Sequence, residues 1–160
     1  MILSLDWQGG LRFRNSEGSP EIELHSSTPG VMSPTQALAY AVMGCMAMDI
    51  AYVIEKGRHR LDRFSVRFVG ERATDHPRRF EKMHLHFDLT ADVTPHAVER
   101  AIELSRTKYC SVWNTIRPDV EFVTTFKIHP LKDFVDQHAF VFVDAEFAGQ
   151  IERQWLQADS

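Results

Sequence analysis

The chain has 160 residues, of which 44% are hydrophobic and 25% are charged, and its formal net charge is −4. This length suits one globular domain with a substantial core, and this composition excludes an intrinsically disordered chain. A formal net charge of −4 gives no case for nucleic acid or an anionic membrane, so we expect neither as a partner.

The N-terminal segment is predicted to form three short strands. It opens without the basic and apolar regions of a signal peptide, so we expect a cytoplasmic protein. Apolar and polar residues alternate over residues 2–7, 11–14 and 21–24, as they do along a strand with one buried face. Glycine or proline in the connections, residues 8–10 and 16–20, favours tight turns. Short strands with such turns indicate an antiparallel meander.

A long apolar helix is predicted over residues 34–56. Ser33 can accept hydrogen bonds from the free N–H groups at the helix start, and the proline after it suits the first helical position. Gly57, which follows a lysine, predicts the helix end. The apolar run over residues 37–54 approaches the length of a membrane span. Its weak hydrophobicity, the acid Asp49 within it and the amphipathic strands on both sides favour the centre of a fold or an oligomer instead.

Strand patterns return after this helix and are interrupted by one more helix. Alternation predicts strands over residues 64–68, 83–89 and 120–128. A threonine-proline pair beginning at Thr94 predicts the start of a helix whose apolar stripe ends near Lys108. The order βββ-α-ββ-α-β has no regular alternation of strand and helix. It therefore indicates an α+β fold rather than a doubly wound parallel sheet.

The last segment, residues 129–160, is predicted to hold one strand and one helix. Residues 140–143 have a strand pattern, and Asp144 is placed to cap a following helix. We expect this extension to pack on the domain formed by residues 1–128.

The chain has two cysteines, Cys45 within the long helix and Cys110 just after the second helix. Two cysteines are too few for a disulfide scaffold, and neither lies in a Cys-x-x-Cys motif. Cys45 lies about three turns from the helix start, too far for the helix dipole to activate the thiol. A reactive Cys45 therefore needs a cation from another element, for which Arg12 and Arg14 are the candidates. Cys110, at a helix end, suits a resolving thiol, while two independent buried cysteines are the alternative.

Two histidines, His84 and His86, share one face of a predicted strand, a spacing that can supply two metal ligands. No third ligand is marked by a recognisable spacing, and a polar, solvated strand face explains the pair more simply. The sequence also lacks a glycine-rich phosphate loop and a Gly-x-Ser-x-Gly elbow. We therefore expect neither a metal nor another cofactor.

The two cysteine segments resemble those of the OsmC/Ohr superfamily. The shared pattern is Ser33-Pro34, then Gly44-Cys45 and Asp49, then Lys56-Gly57, and finally Tyr109-Cys110-Ser111-Val112. The resemblance favours the OsmC-like branch and covers residues 3–128, whereas residues 129–160 lie outside it. It implies an α+β fold in which antiparallel sheets wrap around a long central helix in a swapped homodimer.

The resemblance also implies a thiol peroxidase that reduces organic hydroperoxides in defence against oxidative stress. Cys45 matches the peroxidatic cysteine, whose thiolate attacks the O–O bond and becomes a sulfenic acid. Cys110 matches the resolving cysteine, which condenses with it to a disulfide that an external dithiol reduces. The activating arginine of the family's N-terminal hairpin corresponds to Arg12 or, less closely, to Arg14.

One position departs from the family pattern. Where the peroxidases have a glutamate at the start of the central helix, this chain has Thr35 or Gln36, depending on the alignment. The departure keeps a second hypothesis open, a protein of this fold that binds small molecules or senses redox state with weak or no peroxidase activity. A third is that both cysteines are structural and the function is unrelated to them.

Overall fold

The computed structural model describes residues 6–7, 12–14 and 22–131. The chain divides into two compact units, residues 1–44 and residues 45–160. The strand predicted at residues 140–143 and the helix predicted after it lie outside the described residues, as do the side chains at the two arginine positions of the N-terminal hairpin.

The first unit contains a three-stranded antiparallel sheet. Its strands are β1 (Asp6–Trp7), β2 (Arg12–Arg14) and β3 (Glu23–His25), with β2 in the middle. Phe13 of β2 pairs with Trp7 of β1 on one side and with Leu24 of β3 on the other. The meander predicted from alternation and turn residues is confirmed.

Helix α1 covers Pro34–Lys56, the range predicted from the sequence. Its start is fixed by a reciprocal capping box: the Ser33 hydroxyl accepts from the Gln36 N–H at 3.3 Å, and the Gln36 side-chain oxygen accepts from the Ser33 N–H at 2.8 Å. The positive charge of Lys56 lies in the last turn, where it favours the negative end of the helix dipole. The end of α1 is closed by Arg58, whose φ of 63° lets its N–H donate to the Glu55 carbonyl at 2.8 Å, rather than by the predicted Gly57.

Helix α1 buries one stripe and exposes another. The buried side chains recur every four residues, as one face of a helix requires: Val42, Met46, Ile50 and Ile54. Three large apolar side chains on the other side are exposed by more than half: Tyr40, Met48 and Tyr52. Both sides of the helix are therefore apolar, and the side that carries Tyr40, Met48 and Tyr52 is exposed to solvent.

Among the described residues, α1 is the one helix whose length and composition would allow it to cross a membrane. The core helix of a soluble protein passes the same test. The buried stripe that includes Met46, Ile50 and Ile54 is the arrangement expected of a core helix.

The second unit contains a three-stranded sheet in the order β4-β5-β6, formed by Leu61–Arg72, Phe80–Ala91 and Glu121–His129. β4 and β5 are antiparallel, but β5 and β6 are parallel. This pair differs from the antiparallel sheets that the resemblance implies. The chain leaves β5 through helix α2 (Pro95–Leu104), and this crossover returns it to the sheet in the direction of β5.

The middle strand β5 has one face in the core and a second face that is only partly shielded. Its predicted core face is confirmed, because four alternate residues have at most 1% exposure: Met83, Leu85, Phe87 and Leu89. The prediction that His84 and His86 lie on a solvated face is wrong for His84, which is buried. Both rings hydrogen-bond to the hydroxyl of Thr125 on β6, at 2.9 Å from His84 and 2.8 Å from His86. Alternation predicts which residues share a face, but it does not reveal that a side chain of the next strand, Thr125, lies against both rings.

Candidate thiol site

The two cysteines lie together in the second unit. The Sγ atoms of Cys45 and Cys110 and a carboxylate oxygen of Asp49 are all within 4.8 Å of one another. Cys45 and Asp49 are four residues apart on α1, so their side chains share one side of the helix. Cys110 comes from the segment after α2. The fold thus joins two thiols and one carboxylate that the sequence separates.

A widened helical turn places Cys110 at this site. After α2 the chain continues through a π-helical turn, Ser105–Tyr109, and the Cys110 N–H donates to the Ser105 carbonyl at 2.8 Å. Such single π turns recur at functional sites. The side-chain amide of Asn114 closes the turn by donating to the carbonyls of Cys110 at 2.8 Å and of Arg106 at 3.1 Å. Hydrogen bonds to both the N–H and the carbonyl of Cys110 therefore fix its backbone at the end of the helix.

The two thiols have different environments. Cys110 is fully buried, whereas Cys45 is only partly buried. Burial first, then the hydrogen bond to Cys45, and less strongly the nearby Asp49 charge together raise the pKa of Cys110 from 9.0 to about 12. The Trp113 N–H, which donates to Cys110 Sγ at 3.2 Å, opposes this increase. At neutral pH Cys110 is a protonated thiol, and Cys45 is the more accessible sulfur.

Asp49 is held in place by a buried hydroxyl. The Ser105 Oγ, which is fully buried, donates to Asp49 Oδ2 at 2.8 Å. This contact joins α1 to the π turn and orients the carboxylate toward the two sulfurs. Sequence reasoning gave Asp49 no chemical role, although its spacing of four residues from Cys45 is a usable signal. No comparable signal marks Ser105, because its position depends on the π turn.

The arginine candidates, Arg12 and Arg14, both belong to β2 in the first unit. Their side chains lie outside the described residues, so activation of Cys45 by either one stays a prediction.

The two residues at the family's glutamate position, Thr35 and Gln36, lie in the first turn of α1. Gln36 completes the capping box, and Thr35 Oγ1 is 3.2 Å from Ser33 Oγ. The polar groups of both are used in starting the helix, and neither carries a charge.

Comparisons with known proteins identify the family of this chain. Residues 27–125 match the family model of the OsmC-like protein. Protein YhfA from Escherichia coli strain K12 is 32% identical over 131 residues, which are 80% of this chain and 98% of YhfA.

Solved structures share the fold. A hypothetical protein from Aquifex aeolicus superimposes with a TM-score of 0.75 at 21% identity, covering 82% of this chain and 97% of the other. An organic hydroperoxide resistance protein from Elizabethkingia anophelis does so with a TM-score of 0.62 at 17% identity, covering 79% and 95%. The range matched by the family model includes both Cys45 and Cys110. On this match and this fold, the chain belongs to the OsmC-like protein family of the OsmC/Ohr superfamily.

Proposed function

We propose that this protein is a thiol peroxidase that reduces organic hydroperoxides, with Cys45 as the peroxidatic and Cys110 as the resolving cysteine. The observation that carries the proposal is the placement of both Sγ atoms within 4.8 Å, with Cys45 the more accessible of the two. The name of the structural relative from Elizabethkingia anophelis, an organic hydroperoxide resistance protein, supports the substrate class.

In the first step the Cys45 thiolate attacks one peroxide oxygen and the O–O bond breaks. The sulfur is oxidised to a sulfenic acid, and the departing alkoxide takes up a proton and leaves as the alcohol. The thiolate requires a nearby positive charge, because burial in apolar surroundings disfavours it. Arg12, or in its place Arg14, is the proposed source of that charge.

In the second step Cys110 attacks the sulfenic sulfur, and water leaves as the disulfide forms. Cys110 must lose its proton first, which its pKa of about 12 disfavours. Asp49 is the nearest base, since its carboxylate lies within 4.8 Å of Cys110 Sγ. The sulfurs then approach from at most 4.8 Å to a bond of about 2.05 Å. An external dithiol restores both thiols by exchange.

We further propose that the active form is a cytoplasmic homodimer. The open side of α1 carries Met48 at 73% exposure and Tyr52 at 57% exposure. Large apolar side chains aligned on one helix face are typical of a protein interface. A second copy of this chain is the partner that the resemblance implies.

Steady-state turnover tests the proposal. Wild type, Cys45→Ser and Cys110→Ser are assayed with cumene hydroperoxide and a dithiol such as dithiothreitol, with the uncatalysed rate subtracted. We expect turnover by wild type and none by Cys45→Ser. Without reductant, Cys110→Ser should consume one equivalent of peroxide and leave a sulfenic acid that dimedone traps. Equal turnover by wild type and Cys45→Ser contradicts the proposal.

A second candidate function is a redox sensor or small-molecule binding protein with little peroxidase activity. The capping box favours it, because Gln36 holds the helix start where the peroxidases have a charged residue. Oxidation of Cys45 by cumene hydroperoxide no faster than oxidation of free glutathione would support this candidate over the first.

A further inference from the structure

Asp49 makes the thiol pair into a cluster of three potential metal ligands. Among the described residues, the group Cys45, Asp49 and Cys110 is the one set of three that brings ligand atoms together in this way. We propose that these three residues of the reduced protein bind one Zn²⁺ ion per chain. This site is independent of peroxidase activity, because it requires only two reduced thiols and a carboxylate.

The distances suit the ion. Zinc bonds of about 2.3 Å to sulfur and about 2.0 Å to oxygen, at tetrahedral angles, separate ligand atoms by roughly 3.5 to 3.8 Å. The three ligand atoms already lie within 4.8 Å of one another, so a contraction of about 1 Å completes the site. Forming the disulfide needs a larger movement of the two sulfurs.

Two surrounding groups prepare the ligands. The Ser105 hydroxyl holds Asp49 Oδ2 at 2.8 Å and so orients the carboxylate. The Trp113 N–H points at Cys110 Sγ, where it stabilises the thiolate that a metal requires. With both thiols ionised, two thiolates and one carboxylate carry three negative charges, of which a divalent cation compensates two. Without a cation Cys110 keeps its proton, because its pKa is about 12.

An ion can reach the site from solvent, and the three residues leave one coordination position of a tetrahedral zinc ion unfilled. Cys45 and Asp49 are only partly buried, so an ion can enter from their side. Three protein ligands leave a fourth position for water or a small thiol. Sequence spacing predicts no metal, because the third ligand comes from another element of the fold. Bound zinc would occupy both thiols and exclude the disulfide.

Cobalt titration tests the site without any peroxide. Reduced, metal-free protein is titrated with Co²⁺ under nitrogen, and absorption is followed from the near-ultraviolet to the visible. We expect one tetrahedral Co²⁺ per chain, a thiolate-to-cobalt band from two sulfurs, displacement by Zn²⁺ and release of the Cys110 proton. Protein oxidised to the Cys45–Cys110 disulfide should bind none.

Variants identify the ligands. Cys110→Ser should halve the thiolate band, and Asp49→Asn should weaken Co²⁺ binding at least about tenfold. Asp75→Asn, an exposed aspartate distant in sequence, is the matched control and should bind as wild type does. Wild-type affinity in Asp49→Asn, or no thiolate band in wild type, overturns the proposal. Because no peroxide is present, failure here leaves the proposed peroxidase function unaffected, and the reverse also holds.

Discussion

Cys110 should be alkylated about three orders of magnitude more slowly in the native protein than in the denatured protein. Only the thiolate reacts with iodoacetamide, and burial together with the hydrogen bond to Cys45 raises the pKa of Cys110 from 9.0 to about 12. At pH 8 a thiol with the ordinary value is ionised to about one part in ten, whereas Cys110 is ionised to about one part in 10⁴. The expected ratio of rates is therefore about 10³.

The assay is pulsed alkylation of reduced protein followed by peptide mass spectrometry, with the denatured protein giving the reference rate for the same thiol. The rate at Cys110 should rise about tenfold per pH unit between pH 7 and pH 10 without levelling off. Steric protection alone would instead level off near pH 9, the ordinary pKa of the group. A plateau there, or a native rate equal to the denatured rate, refutes the reasoning.

The Cys45→Ala variant separates the causes of the raised pKa. It removes the side-chain hydrogen bond to Cys110, the second-largest cause, but leaves burial, the largest. Cys110 should then be alkylated faster than in wild type but still more slowly than in denatured protein. A rate equal to that of denatured protein shows that burial is not the main cause.

Three further predictions concern stability and assembly. Burial, and then the charges of His86 and Lys82, lower the pKa of His84 from 6.5 to about 4. As pH falls, the unfolded state therefore takes up a proton on this histidine at a higher pH than the folded state does. The free energy of unfolding should fall by up to roughly 3 kcal/mol as pH drops from 6.5 to 4, and urea titrations should show a smaller fall in His84→Gln. Because Phe87 is fully buried, Phe87→Ala should lower the free energy of unfolding, measured in urea, by about 3–5 kcal/mol. Phe87→Leu should lower it by less than about 2 kcal/mol. In sedimentation velocity, Met48→Lys should sediment as a monomer and wild type as a dimer. The control variant Glu99→Lys, on α2, should also sediment as a dimer. A wild-type protein that sediments as a monomer contradicts the proposed homodimer.

Local signals predict much of the fold. The start of α1 follows from Ser33 and Gln36, whose effects act over a single helical turn. The helix stops before Gly57 as predicted, but the residue with positive φ that closes its end is Arg58. The strands follow from alternation, which is clearest in β5, where alternate residues are buried. These features need no knowledge of distant residues.

The remaining features depend on distant neighbours. The parallel pairing of β5 and β6 depends on the α2 crossover, and the surroundings of His84 include Thr125, which lies 41 residues away in the sequence. The approach of Cys110 to Cys45 depends on the π turn at Ser105, which no sequence pattern announces. The family resemblance predicts that the two cysteines act as a pair. Only the folded structure shows the distance between them and the Asp49 carboxylate beside them.

The most direct test of the central claim is a single-turnover reaction. Reduced protein receives one equivalent of cumene hydroperoxide without reductant, and thiols and disulfides are then mapped by mass spectrometry. The proposed mechanism predicts the loss of both thiols, one Cys45–Cys110 disulfide within each chain and one alcohol per peroxide. Retention of both thiols, or the same peroxide loss in Cys45→Ser, contradicts it.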